Sequence, residues 1–278
     1  MNELGEMFSY SFVVRALLVG VLVSLIAALV GTPLVLRKKS MIGDGLSHTA
    51  FAAVAMGVVF GLAPLAFALP VVIIASFLVL RISKTKKVDG DALIAVLSVA
   101  SLAIGTIAIS VSPGVNIDLN SYLFGSILSV GWSEVWLSLA VAVGVVIFYV
   151  VSYHKIFAIT FDAEFAEAIG IKTKLYDGIF AAICSVVVVL GMKLLGALLI
   201  SGLIVFPTLI AMQIKKSFRG VVITAAVVSV LNFVFGLVIS YFAVLPTGAT
   251  VVAMNLVGLV IAFLLRKLFG GYLSHSSY

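Results

Sequence analysis

Apolar runs, each about as long as a bilayer is thick and each closed by lysine or arginine, constrain this chain more than any other feature. One spans about residues 11 to 36 and ends in Arg37, Lys38 and Lys39. An α-helix crosses a hydrocarbon core with about 20 apolar residues, whereas a membrane barrel shows short strands of alternating polarity. The chain of 278 residues is 63% hydrophobic and 10% charged, with a mean hydropathy of +1.33. No soluble globular domain of this length carries that composition. The fold expected is an all-α polytopic membrane protein.

The formal net charge of +6 is confined to clusters: Arg37, Lys38, Lys39; Arg81, Lys84, Lys86, Lys87; Lys155, Lys172, Lys174; Lys215, Lys216, Arg219; Arg266, Lys267. Loop cations are retained on the cytoplasmic side of membrane proteins, which explains the charge without a nucleic-acid partner. Each apolar stretch between clusters then crosses the bilayer an even number of times. Helical hairpins are expected at 40–80, turning near Gly61 to Pro64; at 90–153, turning near Ser112 to Gly114; at 176–213, turning near Lys193; and at 220–265, turning near Pro246 to Gly248. With the first run as a single crossing, this predicts about nine (eight to nine) helices, the N-terminus outside and the C-terminus cytoplasmic. Residues 119–130 are apolar and too short to span, so they suit a short or re-entrant segment.

The first residues, MNELGEMFSYSF, lack the cationic start of a cleaved signal peptide, so the first apolar run is expected to remain. Cys184 is the sole cysteine and reads as a small buried hydrophobe rather than a metal ligand. No soluble domain or strong internal repeat stands out, and a single transmembrane domain over 1–278 is expected.

In the stretch MIGDGLSHTA, residues 41–50, Asp44 and His48 stand four apart, with Ser47 beside them. Positions i and i+4 share a helix face, so the three make one polar stripe. The Ala- and Gly-rich continuation favours close packing that buries this stripe in a bundle. Ionisable groups facing a bundle interior mark ion paths or proton relays. Imidazole and carboxylate together suit Zn²⁺ or Mn²⁺, and two ligands per chain imply a second copy or water to complete the shell. The competing reading makes Asp44 a helix N-cap and His48 only its hydrogen-bonded neighbour.

The stretch LVLRKKSMIGDGLSHTAFAAVAMG resembles the signature of the membrane subunits of ABC-type zinc and manganese importers. DALIAVLSVASLAIG (91–105), IDLNSYLFGSIL (117–128), FDAEFAEAIGI (161–171) and LLGALLISGLIVFPTLIAM (194–212) resemble further family segments in the same order. Where the family often has a Pro-Gly pair after the histidine, this chain has Ala52 and Ala53. The resemblance implies a homodimeric permease similar in fold to cobalamin and iron-siderophore importers. It would sit in the prokaryotic cell membrane with a cytoplasmic ABC ATPase dimer and an extracytoplasmic metal-binding protein as partners. It further implies transported Zn²⁺ or Mn²⁺ as cargo, no permanently bound cofactor, and Asp44 and His48 as the transient metal site.

The chain has no phosphate-binding loop of its own, so ATP would be hydrolysed by the partner and this chain is not itself an enzyme. The segment at about 155–175 is the candidate handle. Asp162 suits an N-cap, Glu164 and Glu167 the early helix turns, Phe165 and Ile169 a shared apolar face, and Gly170 the stop. The resemblance implies that this helix couples to the ATPase; the residues by themselves favour a solvated loop that caps the helix bundle. Asp118 and Glu134 are candidates for docking at the outer face, Lys193 for snorkelling to headgroups, and His154 and His275 for plain surface residues. Two rival functions remain open at this stage: a proton-coupled secondary metal transporter, and a non-transporting scaffold subunit whose polar pair specifies helix packing.

Overall fold

The computed structural model describes residues 2–83, 90–111, 125 and 130–273. The helices are α1 (Asn2–Ser9), α2 (Ser11–Leu36), α3 (Met41–Val59), α4 (Pro64–Ser83), α5 (Gly90–Ser110) and α6 (Trp132–Val151). They continue as α7 (Tyr153–Phe161), α8 (Ala163–Ala168), α9 (Thr173–Leu195), α10 (Ala197–Ile214), α11 (Phe218–Ala243) and α12 (Thr247–Leu273). Among the described residues, nine of these are long and apolar enough to cross a membrane, α1, α7 and α8 being the short exceptions. The expected turn near Ser112 to Gly114, the cations Lys84, Lys86 and Lys87, and the expected re-entrant segment apart from Gly125 and Val130 lie outside the described residues.

Burial divides the spans into two sets. Helices α2, α3, α9 and α10 are mostly buried and supply most of the main apolar core, including Val19, Ile26, Leu46, Leu195, Leu199 and Ile204. Helices α4, α5, α6, α11 and α12 bury a minority of their surface and turn residues such as Val99, Trp136 and Val260 outward. Lipid solvates such side chains, so an outer ring of this kind needs no polar face. At the α2–α10 crossing a methyl group on Gly31 would overlap the carbonyl of Ile204, and close approach of this kind is how small residues join membrane helices. Near that point the Thr32 and Thr208 hydroxyls lie 3.3 Å apart.

The expected helix ends follow with one shift. The first hairpin turns where Phe60 caps α3 and Leu62 N–H returns to the Gly57 carbonyl, and the last turns just before Thr247. In the third hairpin the chain does not break near Lys193 but at Gly196, whose φ of 96° separates α9 from α10. Side-chain bonds gather the cation-bearing helix ends: Arg37 reaches Asp177, Lys155 reaches Tyr176, and Arg266 reaches Gln213. Lys193 and Glu134, at the far ends of α9 and α6, meet each other instead.

Candidate functional site

Helix α3 begins at Met41, after Ser40, so Asp44 lies inside its first turns and is not the N-cap. The contacts of its carboxylate are the Ser98 hydroxyl, which donates to Oδ2 at 3.5 Å, and His48 Nε2, which faces Oδ1 at 3.7 Å. Ser47 does not share their stripe. It is fully buried, donates to the Asp44 backbone carbonyl at 2.8 Å and meets Ser201 of α10 at 3.1 Å. Gly43 likewise packs on Ile204 of α10, while Gly45 and Thr49 face Ile94, Ser98 and Ser101 of α5. Asp44 and His48 therefore occupy the strip of α3 between its α10-facing and α5-facing sides.

Exposure falls steadily along this strip. Met41 is exposed, the Asp44 and His48 side chains are 39% and 22% exposed, and Phe51 and Ala55, further along, are buried. Side-chain exposure on this strip is thus greatest at the cation-rich end of α3 and is lost beyond the histidine. His48 Nδ1 is buried without a hydrogen-bond partner among the described residues, where packing rather than a second polar group holds the ring.

The spacing suits a shared ion. Zinc bonds of roughly 2.0–2.2 Å at a tetrahedral angle place two ligand atoms about 3.4 Å apart, a small contraction from the separation present here. Among the described residues no group of three or more His, Cys, Asp or Glu side chains converges, so one chain offers this pair and no third ligand of those types. Cys184 is buried and free in α9, and His154 is exposed beside Tyr153, away from the pair.

The segment after α6 is built as two short helices. In α7, Ile156 and Ile159 are buried, while Tyr153, Phe157 and Phe161 stack around Phe218. Asp162 caps α8 by accepting the Phe165 N–H at 2.8 Å. The helix ends by the pattern in which Gly170 N–H donates to the Glu167 carbonyl and Ile171 N–H to that of Ala166, with Gly170 at a φ of 90°. Ala166 is its buried residue; Phe165 and Ile169 are 58% and 56% exposed, and Glu164 and Glu167 also face outward. The apolar pair thus has no cover among the described residues, and Ile169 is the residue that caps the helix rather than part of it.

Glu134 is not a free acid. It accepts from Gly131 N–H, Ser133 Oγ and Lys193 Nζ, so it caps its own helix and holds the lysine that was expected to reach headgroups. Asp118, the other outer-face candidate, lies outside the described residues.

Residues 9–266 match the model of the ABC 3 transport family. This chain belongs to the ABC 3 transport family. Similar proteins include the high-affinity zinc uptake system membrane protein ZnuB of Haemophilus influenzae, 27% identical over 91% of this chain and 97% of the relative. The manganese transport system membrane protein MntC of Listeria monocytogenes is 26% identical over 94% of this chain and 93% of the relative. Among solved structures, PsaBC from Streptococcus pneumoniae in complex with Fab has a TM-score of 0.83 at 24% identity, covering 94% of each chain. That likeness places the helices in an ABC permease fold.

Within this ABC 3 chain, a second charged pair besides Lys193–Glu134 escaped the sequence reading. Arg37 stands in a cation cluster, yet its Nη1 donates to Asp177 Oδ1 at 2.9 Å, with the two side chains 15% and 8% exposed. The two residues are 140 positions apart, and the sequence signal that existed was weak: Asp177 is an acid among the cations that open α9. The Ser98 and Ser201 hydroxyls beside the α3 stripe were equally hidden, because serines in membrane helices commonly bond their own backbone, as Ser201 does to Ala197.

Proposed function

We propose that this chain is the membrane-spanning permease subunit of an ATP-driven importer that carries Zn²⁺ or Mn²⁺ into the cell, with Asp44 and His48 as the site the ion passes. The observation that carries this reading is the placement of Asp44 Oδ1 and His48 Nε2 3.7 Å apart, both side chains only partly buried, on a membrane-spanning helix. A packing pair would be buried and closely bonded; a transit site must bind well enough to admit an ion and weakly enough to release it. Relatives named for zinc and for manganese transport support the cargo class.

In this reading the cation-rich end is cytoplasmic, following the positive-inside rule, and the N-terminus is outside. Two copies of the chain form the permease, and a second Asp44–His48 pair or water fills the remaining positions around the ion. An ABC ATPase dimer seats on the segment at 155–175. There Phe165 and Ile169 present an exposed apolar contact, and Asp162 and Gly170 fix where the helix starts and stops. A metal-binding protein delivers the ion at the opposite end. Glu134, held by Lys193, contributes there through the shape of the surface rather than as a bare carboxylate.

The test is ATP-dependent uptake of radiolabelled zinc and manganese, in competition, into vesicles holding this chain with its ATPase and binding protein. Uptake of one metal that disappears in an assembled His48→Ala complex is the expected result. ATP-driven uptake by both His48→Ala and Asp44→Ala moves the site elsewhere, and uptake by the chain without any ATPase makes it a secondary carrier.

A further inference from the structure

We propose that the Arg37–Asp177 ion pair is the link through which movement of the surface segment reaches Asp44 and His48. The inference rests on the coupling role given above to residues 155–175. Asp177 lies in the opening turns of α9, directly after that segment, and Lys155 Nζ, from α7, donates to the hydroxyl of the neighbouring Tyr176 at 2.6 Å. Arg37 caps α2, and the turn 38–40 leads straight from it into α3, whose first turns carry Asp44. Beside the direct apolar packing of α9 on α3, a 2.9 Å polar bond therefore ties the element next to the proposed ATPase contact to the turn that leads into the helix of the proposed metal ligands.

The surroundings suit a moving link. One cavity touches the pair on the side of the segment, where Ile156, Ile159, Thr160 and Tyr176 line it. A second touches the same pair on the side of α3, where Ile42, Leu46 and Leu80 line it. Each cavity is about 20 Å³, space for about one water, so the pair is less tightly packed on these two sides than a sealed interior would be. Apolar side chains slide past one another at little cost. A hydrogen-bonded ion pair screened from water resists separation, so it transmits a displacement that apolar packing would absorb.

The double variant Arg37→Met/Asp177→Leu tests this, because a buried ion pair replaced by apolar residues of similar size commonly leaves stability unchanged or raised. The complete complex with its ATPase and binding protein is reconstituted in vesicles, and uptake per ATP hydrolysed is measured beside thermal stability and ATP turnover. The expected result is a fall of about tenfold in uptake per ATP, within the usual range of coupling between protein sites, with ATP turnover and stability retained. The reversed pair, Arg37→Asp/Asp177→Arg, keeps the attraction and is expected to lie nearer to wild type. A folded apolar variant with wild-type uptake per ATP overturns the link, as does a reversed pair that assembles but is no better coupled than the apolar one. Should the wild-type complex itself show no ATP-driven uptake, the proposed function fails instead, and the two failures are thereby distinguished.

Discussion

Two acid–base pairs, with Arg37 of one and Asp44 of the other on either side of the α2–α3 turn, are built in opposite ways. Arg37 and Asp177 come from α2 and α9, meet at 2.9 Å and are nearly sealed. Asp44 and His48 come from one helix, stop at 3.7 Å, and leave the acid more than a third exposed and one ring nitrogen without a partner among the described residues. The first pair resembles an anchor, in which the desolvation cost is offset only by good geometry. The second leaves a gap of the size an ion fills. How completely the two groups of each pair satisfy one another separates the two cases.

The largest expected effect breaks the closed pair from one side. Asp177→Leu leaves Arg37 buried without this partner and is expected to cost about 3–5 kcal/mol, read as loss of assembled protein or a lowered unfolding temperature in detergent. Asp44→Leu, at the open pair, is expected to change stability by less than about 1 kcal/mol, since its carboxylate is more than a third exposed and gives up only long contacts. Equal losses at both positions would erase the contrast. The next effect concerns the ion itself. Removing a supporting group around a metal weakens affinity roughly 10–100-fold, so loss of a ligand in His48→Ala should weaken zinc binding at least that much. Calorimetry on the detergent-solubilised chain measures it, and unchanged affinity removes His48 from the site.

The contrast between the pairs also marks how far the sequence could be read. The spans were legible because a run of apolar residues long enough to cross a bilayer needs no knowledge of its neighbours. Asp44 and His48 were legible because helical periodicity alone puts them on one face. Arg37–Asp177 and Lys193–Glu134 were not, since each joins distant helices and each cation resembled a loop or headgroup charge. The break at Gly196 was misplaced because LLGALLI carries no polar punctuation, and only a positive φ at glycine reveals it. The cap at Asp162 and the stop at Gly170 were read correctly because both are local backbone chemistry.

A smaller effect is expected at the surface segment, which tests whether the closed pair has something to transmit. Phe165→Ala and Ile169→Ala remove side chains that are mostly exposed in this chain, so its stability should stay within about 0.5 kcal/mol. If both lie in the centre of an ATPase contact, each truncation should weaken association by roughly 2 kcal/mol, the scale of interface hot spots. Co-purification or titration of the ATPase onto the reconstituted chain reads this directly. Association that is indifferent to both substitutions would leave the anchor pair without an input from this surface.

The smallest effect lies between the two pairs. Helix α2 closes with Lys38 N–H donating to the Val35 carbonyl and Lys39 N–H to that of Leu34, which requires a left-handed residue at position 38; Lys38 supplies it with a φ of 57°. A side chain in that conformation costs about 1–2 kcal/mol, and glycine relieves it while adding back somewhat less through its freer unfolded chain. Lys38→Gly is therefore expected to raise stability by about 0.5 kcal/mol, read by thermal unfolding. The same substitution removes the stiff residue between Arg37 and α3. If that turn conveys displacement to Asp44, the more stable variant should also transport less metal per ATP hydrolysed, a combination that simple relief of strain does not produce.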